Sequence, residues 1–144
     1  MHKKGFTIVE LILVITLIIM LFAISTPFFI SLNNRNDVNL TYTYLESSVK
    51  RSYQLAKLQY MNENWGVYID NTNNNLVVYK GESYTAREID QDEVILLPNG
   101  VSFGGGDQDI NFTELTGVMS TTNIIVTISK NGYSKDLNIS SLIN

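Results

Sequence analysis

The side chains able to do chemistry are few in this chain. Its one histidine is His2, too close to the start to complete a catalytic triad or a His-Glu-x-x-His zinc site. There is no cysteine, which excludes disulfides, thiolate metal sites and thiol catalysis. Asp90, Asp92 and Glu93 form an acidic cluster, for which a solvated loop is the default reading. Glycoside hydrolysis by such carboxylates needs a sugar cleft, and nothing else in the chain suggests one. Gly104-Gly105-Gly106-Asp107-Gln108-Asp109 is glycine-rich, but the basic residue and following helix of a phosphate cradle are not evident. Asp107 and Asp109 alternate around this flexible loop, and calcium prefers such oxygens; a plain mobile turn is the simpler expectation. The chain is therefore expected not to be an enzyme and to need no cofactor.

The informative acid is Glu10. From Leu11 to Asn34 there is no charge over 24 positions, and apolar residues dominate as far as Leu32. As a helix this run is about 36 Å long, against a hydrocarbon core of about 30 Å. Lys3 and Lys4 precede it and should stay cytoplasmic, so the rest of the chain should face outward. A carboxylate in such a helix costs about 2.5–3.5 kcal/mol when central and less near an end. Its segment holds no cation, since the next basic residue is Arg35. A partner for Glu10 must come from another chain or from a new chain end. A cleaved secretory signal and an ordinary membrane anchor are the plainer alternatives. Ala23-Ile24-Ser25 passes for a signal cleavage site. Against that, Glu10 gives a signal peptide nothing, and the run continues through Phe28, Phe29 and Ile30.

Lys3-Lys4-Gly5-Phe6-Thr7-Ile8-Val9-Glu10-Leu11 resembles the prepilin peptidase recognition motif of type IV pilins and type II secretion pseudopilins. The order matches: basic leader, Gly, Phe, Thr, two apolar residues, Glu, then an apolar helix. The resemblance implies cleavage between Gly5 and Phe6 by a membrane aspartyl peptidase on the cytoplasmic side. It implies N-methylation of the new terminal Phe6. It also implies that Glu10 pairs with the N-terminal amine of a neighbouring subunit in a fibre. That pairing would neutralise two charges in an apolar setting, where an unpaired charge is expensive. Glu10 would then set assembly register, with Thr7 as a small polar neighbour. Pro27 lies where many family members carry a helix-kinking proline.

The elements that position these residues follow from periodicity. Asn33-Asn34-Arg35-Asn36-Asp37 marks the exit from the membrane. Val38, Tyr42, Leu45, Val49, Tyr53, Ala56 and Tyr60 step by threes and fours, which predicts an amphipathic helix from about Asp37 to Asn62. Lys50, Arg51 and Lys57 fall mostly off that stripe. After Trp65 the pattern is of short strands. Val67–Ile69 and Leu76–Tyr79 flank an Asn-rich turn at 71–75, and Val94–Leu97 ends at Pro98-Asn99-Gly100. Val101–Phe103, Ile110–Phe112, Ile124–Ile128 and Tyr133–Ile139 are further strands, the last two joined at Asn131-Gly132. The expected fold class is α+β: a long N-terminal helix packed on a small antiparallel sheet. The expected organisation is a leader at 1–5, a transmembrane or filament-core helix at 6–32, its amphipathic continuation at 33–64 and a β-rich head at 65–144. The head resembles the GspH/FimT group of minor pseudopilins in Arg51-Ser52, Ala56, Trp65–Ile69, Leu97–Val101 and Phe112–Gly117. Its Phe…Gly loop is one residue longer than the group pattern and lacks the usual proline.

Charge narrows the partners. Net charge is -4 overall, and residues 33–144 carry eight basic and thirteen acidic side chains. That is a poor footprint for nucleic acid unless the fold gathers Lys50, Arg51, Lys57, Lys130 and Lys135 into one patch. The expected protein is a structural minor pilin or pseudopilin subunit of a type IV pilus or type II secretion-like filament. It would be single-pass in the inner membrane, with its N-terminus cytoplasmic. Its expected partners are a prepilin peptidase, other pilin or pseudopilin subunits and an inner-membrane assembly platform. The alternative is a DNA-uptake or adhesion subunit carried on the same kind of filament.

Overall fold

The computed structural model describes residue 5 and residues 7–105, 108–119 and 124–143, apart from the side chains of residues 24–26. The chain divides into two units, Met1–Asn34 and Arg35–Asn144. One 50-residue helix, α1 (Ile8–Lys57), contributes to both. In the first unit every described side chain of α1 up to Asn33 is exposed. A helix that is apolar all round suits a lipid or protein surround rather than water. This stretch is long and apolar enough to cross a membrane. Its hydroxyl at Thr16 is satisfied internally by the Ile12 carbonyl at 2.7 Å.

In the second unit α1 becomes amphipathic. Val38, Leu45, Val49 and Ala56 are fully buried, and Tyr42 and Tyr53 flank them half-buried. Thr41, Ser48 and Ser52 are buried on the same face. These side chains are small enough to let the sheet come close, and Ser52 Oγ donates to the Gly66 carbonyl at 3.3 Å. The helix stops at Lys57, short of the expected Asn62. Gln59 is left-handed, and the Ala56 carbonyl accepts the amides of both Gln59 and Leu115. Tyr60 therefore leaves the stripe and is exposed.

Among the described residues seven strands follow: β1 (Trp65–Asp70), β2 (Asn75–Lys80), β3 (Glu93–Leu96), β4 (Ser102–Phe103), β5 (Gln108–Phe112), β6 (Ile125–Lys130) and β7 (Tyr133–Asn138). All pairings are antiparallel, as the α+β reading requires. The single sheet expected is in fact two, ordered β3-β2-β1-β5 and β4-β6-β7. The division occurs at Pro98-Asn99-Gly100, which sends the chain off the first sheet rather than back along it. Two asparagines of the β1–β2 turn hold this junction. Asn71 gives its amide nitrogen to the Phe103 carbonyl and takes the Phe103 amide at 2.9 Å, imitating a strand neighbour. Asn74, left-handed, donates to the carbonyls of Leu97 and Pro98 at 3.1 Å. Asn131 and Gly132, both at positive φ, close the β6–β7 hairpin. Val67, Ile69, Leu76, Val78, Ile110 and Phe112 join Val126, Ile128 and Leu137 of the other sheet in one core with the helix stripe.

Two positions on the first sheet make sharp demands. Gly66 faces Tyr79 across the β1–β2 ladder, and a Cβ there would lie 2.5 Å from the Tyr79 ring. Tyr79 is fully buried and has little freedom to yield. Gly66→Ala is expected to destabilise the second unit by about 1–3 kcal/mol in urea unfolding, and less when Tyr79→Leu is already present. Asp70 holds the turn through Asn73, accepting its backbone amide at 2.8 Å and its side-chain amide at 2.7 Å. Burial raises the Asp70 carboxyl, but hydrogen bonds from Asn73 and Thr72 outweigh it and hold the group below its ordinary value. A depressed folded value means stabilisation present above the unfolded value of about 3.8 and lost as pH falls through the folded one. Asp70→Asn is expected to lower the unfolding midpoint at neutral pH, with the gap from the parent closing as pH drops below about 4.

Candidate functional site

The N-terminal constellation begins where α1 begins. Thr7 stands immediately before the first helical residue, Ile8. Its Oγ1 accepts the Glu10 backbone amide at 3.2 Å. Glu10 Oε2 in turn accepts the Thr7 amide at 3.2 Å and the Thr7 hydroxyl at 3.3 Å. This is a reciprocal capping box, which satisfies two otherwise orphaned amides at a helix start. The acid also lies at the positive end of the helix dipole. Thr7 and Glu10, expected as neighbours, are thus in direct contact within one chain. The capping role was not foreseen, although Thr-x-x-Glu ahead of an apolar run is its sequence signal. Glu10 remains exposed and has no cationic partner among the described residues.

Gly5 is exposed, and a Cβ added there meets no described atom within 4 Å. Phe6 lies outside the described residues. Pro27 lies inside α1, and lacking an N–H it leaves the Ala23 carbonyl without its usual helical donor. Asp107 also lies outside the described residues. Asp109 is not in a loop but in β5. Its Oδ1 accepts the Tyr79 hydroxyl, and its Oδ2 accepts the Tyr84 amide at 3.0 Å. Among the described residues no group of three or more His, Asp or Glu side chains is placed to hold a metal.

Asp109 belongs to a cluster that the sequence did not reveal. Asn111 donates to the Tyr79 hydroxyl at 3.2 Å and to the Gly81 carbonyl at 2.9 Å. Burial, then the hydrogen bond to Asp109, push the Tyr79 phenol well above its ordinary range, so it stays protonated. Residues 81–92 cover this sheet face. The Tyr84 ring stacks on Tyr68 with centroids 3.7 Å apart, and the Arg87 guanidinium lies 3.8 Å from the centre of the Tyr84 ring. Arg87 also donates to Asp92 at 2.7 Å. The acidic cluster is therefore not simply solvated: Asp92 pairs with Arg87 and Glu93 with Arg51, while Asp90 stays exposed.

The basic residues are all engaged within the second unit. Lys50 pairs with Glu46, Arg51 with Glu93, Lys80 with Glu88, Arg87 with Asp92 and Lys130 with Asp37. Lys57, Lys135 and Arg35 lie over the rings of Tyr53, Tyr42 and Tyr133. Lys50, Arg51, Lys57, Lys130 and Lys135 thus each have their own partner within this unit. In comparisons with known proteins, no family model, no curated protein and no solved structure matches the chain.

The capping box makes a direct prediction for the chain reconstituted in a bilayer. Thr7→Ala is expected to cost about 0.5–2 kcal/mol of local helix stability. It should appear as faster amide exchange over residues 8–11 in lipid nanodiscs, with Thr7→Ser close to the parent.

Proposed function

We propose that the chain is a structural minor pilin or pseudopilin subunit, cut between Gly5 and Phe6 and assembled into a filament through α1. The observation that carries this reading is the Gly5-Phe6-Thr7 to Glu10 arrangement at the head of an uncharged helix. Gly5 supports it because the fold gives no reason for a glycine there: the space around it is open. A peptidase subsite that excludes side chains does give one. Glu10 supports it because an exposed carboxylate with only a hydroxyl and an amide for partners still lacks a countercharge. Burial of the surrounding helix would make that lack costly. The amine created at Phe6 of a neighbouring subunit is a cation of the right kind. The resemblance of the second unit to GspH/FimT heads supports a minor subunit over a catalytic one. Sequestration of the described cations favours a structural role over DNA uptake.

Mass spectrometry of the N-terminus tests the reading. Coexpression with a cognate prepilin peptidase is expected to yield a chain beginning at methylated Phe6. Gly5→Val is expected to keep the leader. An intact leader in the parent chain with that peptidase would refute processing and leave a membrane-anchored domain. Glu10→Leu is expected to be processed normally yet fail to enter filaments in a shear-fraction assay.

A further inference from the structure

The outermost strands of the two sheets are β3, β5, β4 and β7. An outer edge carries backbone groups without a neighbour, and proteins blunt it with charge, brevity or cover. β7 carries Lys135 and Asp136, β4 has two residues, and β5 meets Met119 in a bridge at Phe112. β3 has less protection: Val94 and Leu96 are 54% and 75% exposed, and the strand holds no proline or lysine. Strand alternation says which of its backbone groups face out. The Leu97 amide donates inward, to the carbonyl of Asn74 just before β2, at 3.1 Å. Direction alternates along an antiparallel ladder, so Glu93 and Ile95 also face β2 while Val94 and Leu96 turn their amides and carbonyls outward. Among the described residues no turn or loop hydrogen bond reaches these outward groups.

The ends of this open stretch select its occupant. The outward position before Val94 is Asp92, whose amide is already given to the Ile89 carbonyl at 3.1 Å. The outward position after Leu96 is Pro98, which has no amide. The open edge is thus two hydrogen-bonding residues long and closed at both ends. We propose that β3 pairs antiparallel with β3 of a second copy, about a two-fold axis through Ile95. Val94 then exchanges two hydrogen bonds with Leu96 of the second copy, and Leu96 exchanges two with its Val94. Every outward group of both strands is used. The next rung sets Asp92 against Pro98, so the ladder ends where its bonding capacity ends. The side chains agree with this register. Val94 meets Leu96 on one face, Ile95 meets Ile95 on the other, and Glu93 falls opposite Leu97 rather than another acid. A longer foreign strand finds no further rung to extend into. The contact is small, so pairing is expected to depend on concentration.

The chain has no cysteine, so single cysteines report the register cleanly. The test uses the full chain in detergent micelles, which leave the second unit free to orient. In this register Ile95 faces its own copy in a non-hydrogen-bonded pair, with Cα atoms about 4.5 Å apart and within disulfide reach. Val94 and Leu96 each lie about 7–8 Å diagonally from their own copies, beyond that reach. Under mild oxidation Ile95→Cys is expected to cross-link severalfold faster than Val94→Cys or Leu96→Cys. Association through α1 alone predicts no such preference. Adding Val94→Pro removes an outward amide that the β2 ladder does not use, and should abolish the cross-link with the head still folded. Amide exchange of the parent chain is a second readout that needs no cysteine. Val94 and Leu96 are expected to slow severalfold as protein concentration rises, and Val94→Pro to remove that dependence at Leu96. Equal cross-linking at the three positions, none in a folded Ile95→Cys chain, or exchange indifferent to concentration would overturn the proposal. Slowing of these amides only on addition of a synthetic peptide of alternating Val and Thr would overturn it in favour of a different protein.

Discussion

Both sheets of the second unit depend on one surface, the stripe of α1 made by Val38, Leu45, Val49 and Ala56. Neither sheet buries its inner face without it. The strands are short, and β4 has only two residues. Isolated sheets of that size are marginal in water, so the helix supplies the missing apolar area. Thr41, Ser48 and Ser52 make the approach close, at the cost of two hydroxyls, those of Thr41 and Ser48, left without a hydrogen-bond partner. The side chains of Asn71 and Asn74 then substitute for the ladder that is missing between the sheets.

The same chain meets a second constraint with polar chemistry. The described cations of the second unit serve as fasteners, some of them buried and some on the surface. Lys130, Lys135 and Arg35 tie the β6–β7 hairpin to α1 between Arg35 and Tyr42. Arg87 fastens residues 81–92 over Tyr84, and Arg51 fastens β3. The partly buried pairs, such as Lys130 with Asp37, have more leverage on structure than the exposed Lys50–Glu46 pair. Among the described residues of the second unit, Glu63, Asp90 and Glu114 have no ion pair, and Arg35, Lys57 and Lys135 meet tyrosine rings instead of carboxylates.

Much of this was legible in the sequence where the signal is local. The heptad-like stripe, the β1–β2 hairpin and the Asn131-Gly132 turn lie within a few residues of the groups that determine them. The helix end was misplaced because Tyr60 keeps the helical phase while the backbone at Gln59 has already left it. The second sheet was missed because its separation is set by asparagine side chains and by β5 returning to β1, neither of which periodicity records. Tyr84 and Arg87 sit in a segment whose acids dominated its reading, so their stacking went unseen. At the N-terminus, Thr7 and Glu10 were expected together for their intermolecular chemistry, yet the same spacing also specifies a cap within one chain.

The contact between Lys130 and Asp37 has a kinetic meaning. It joins residues 93 positions apart, and β6 and β7 complete the core begun by Val38. Such distant contacts repay their loop-closure entropy only once both ends are in place. The part of the stripe around Val38 is therefore covered only once β6 and β7 are in place. With no cysteine in the chain, no disulfide can fix a partial fold before that contact closes.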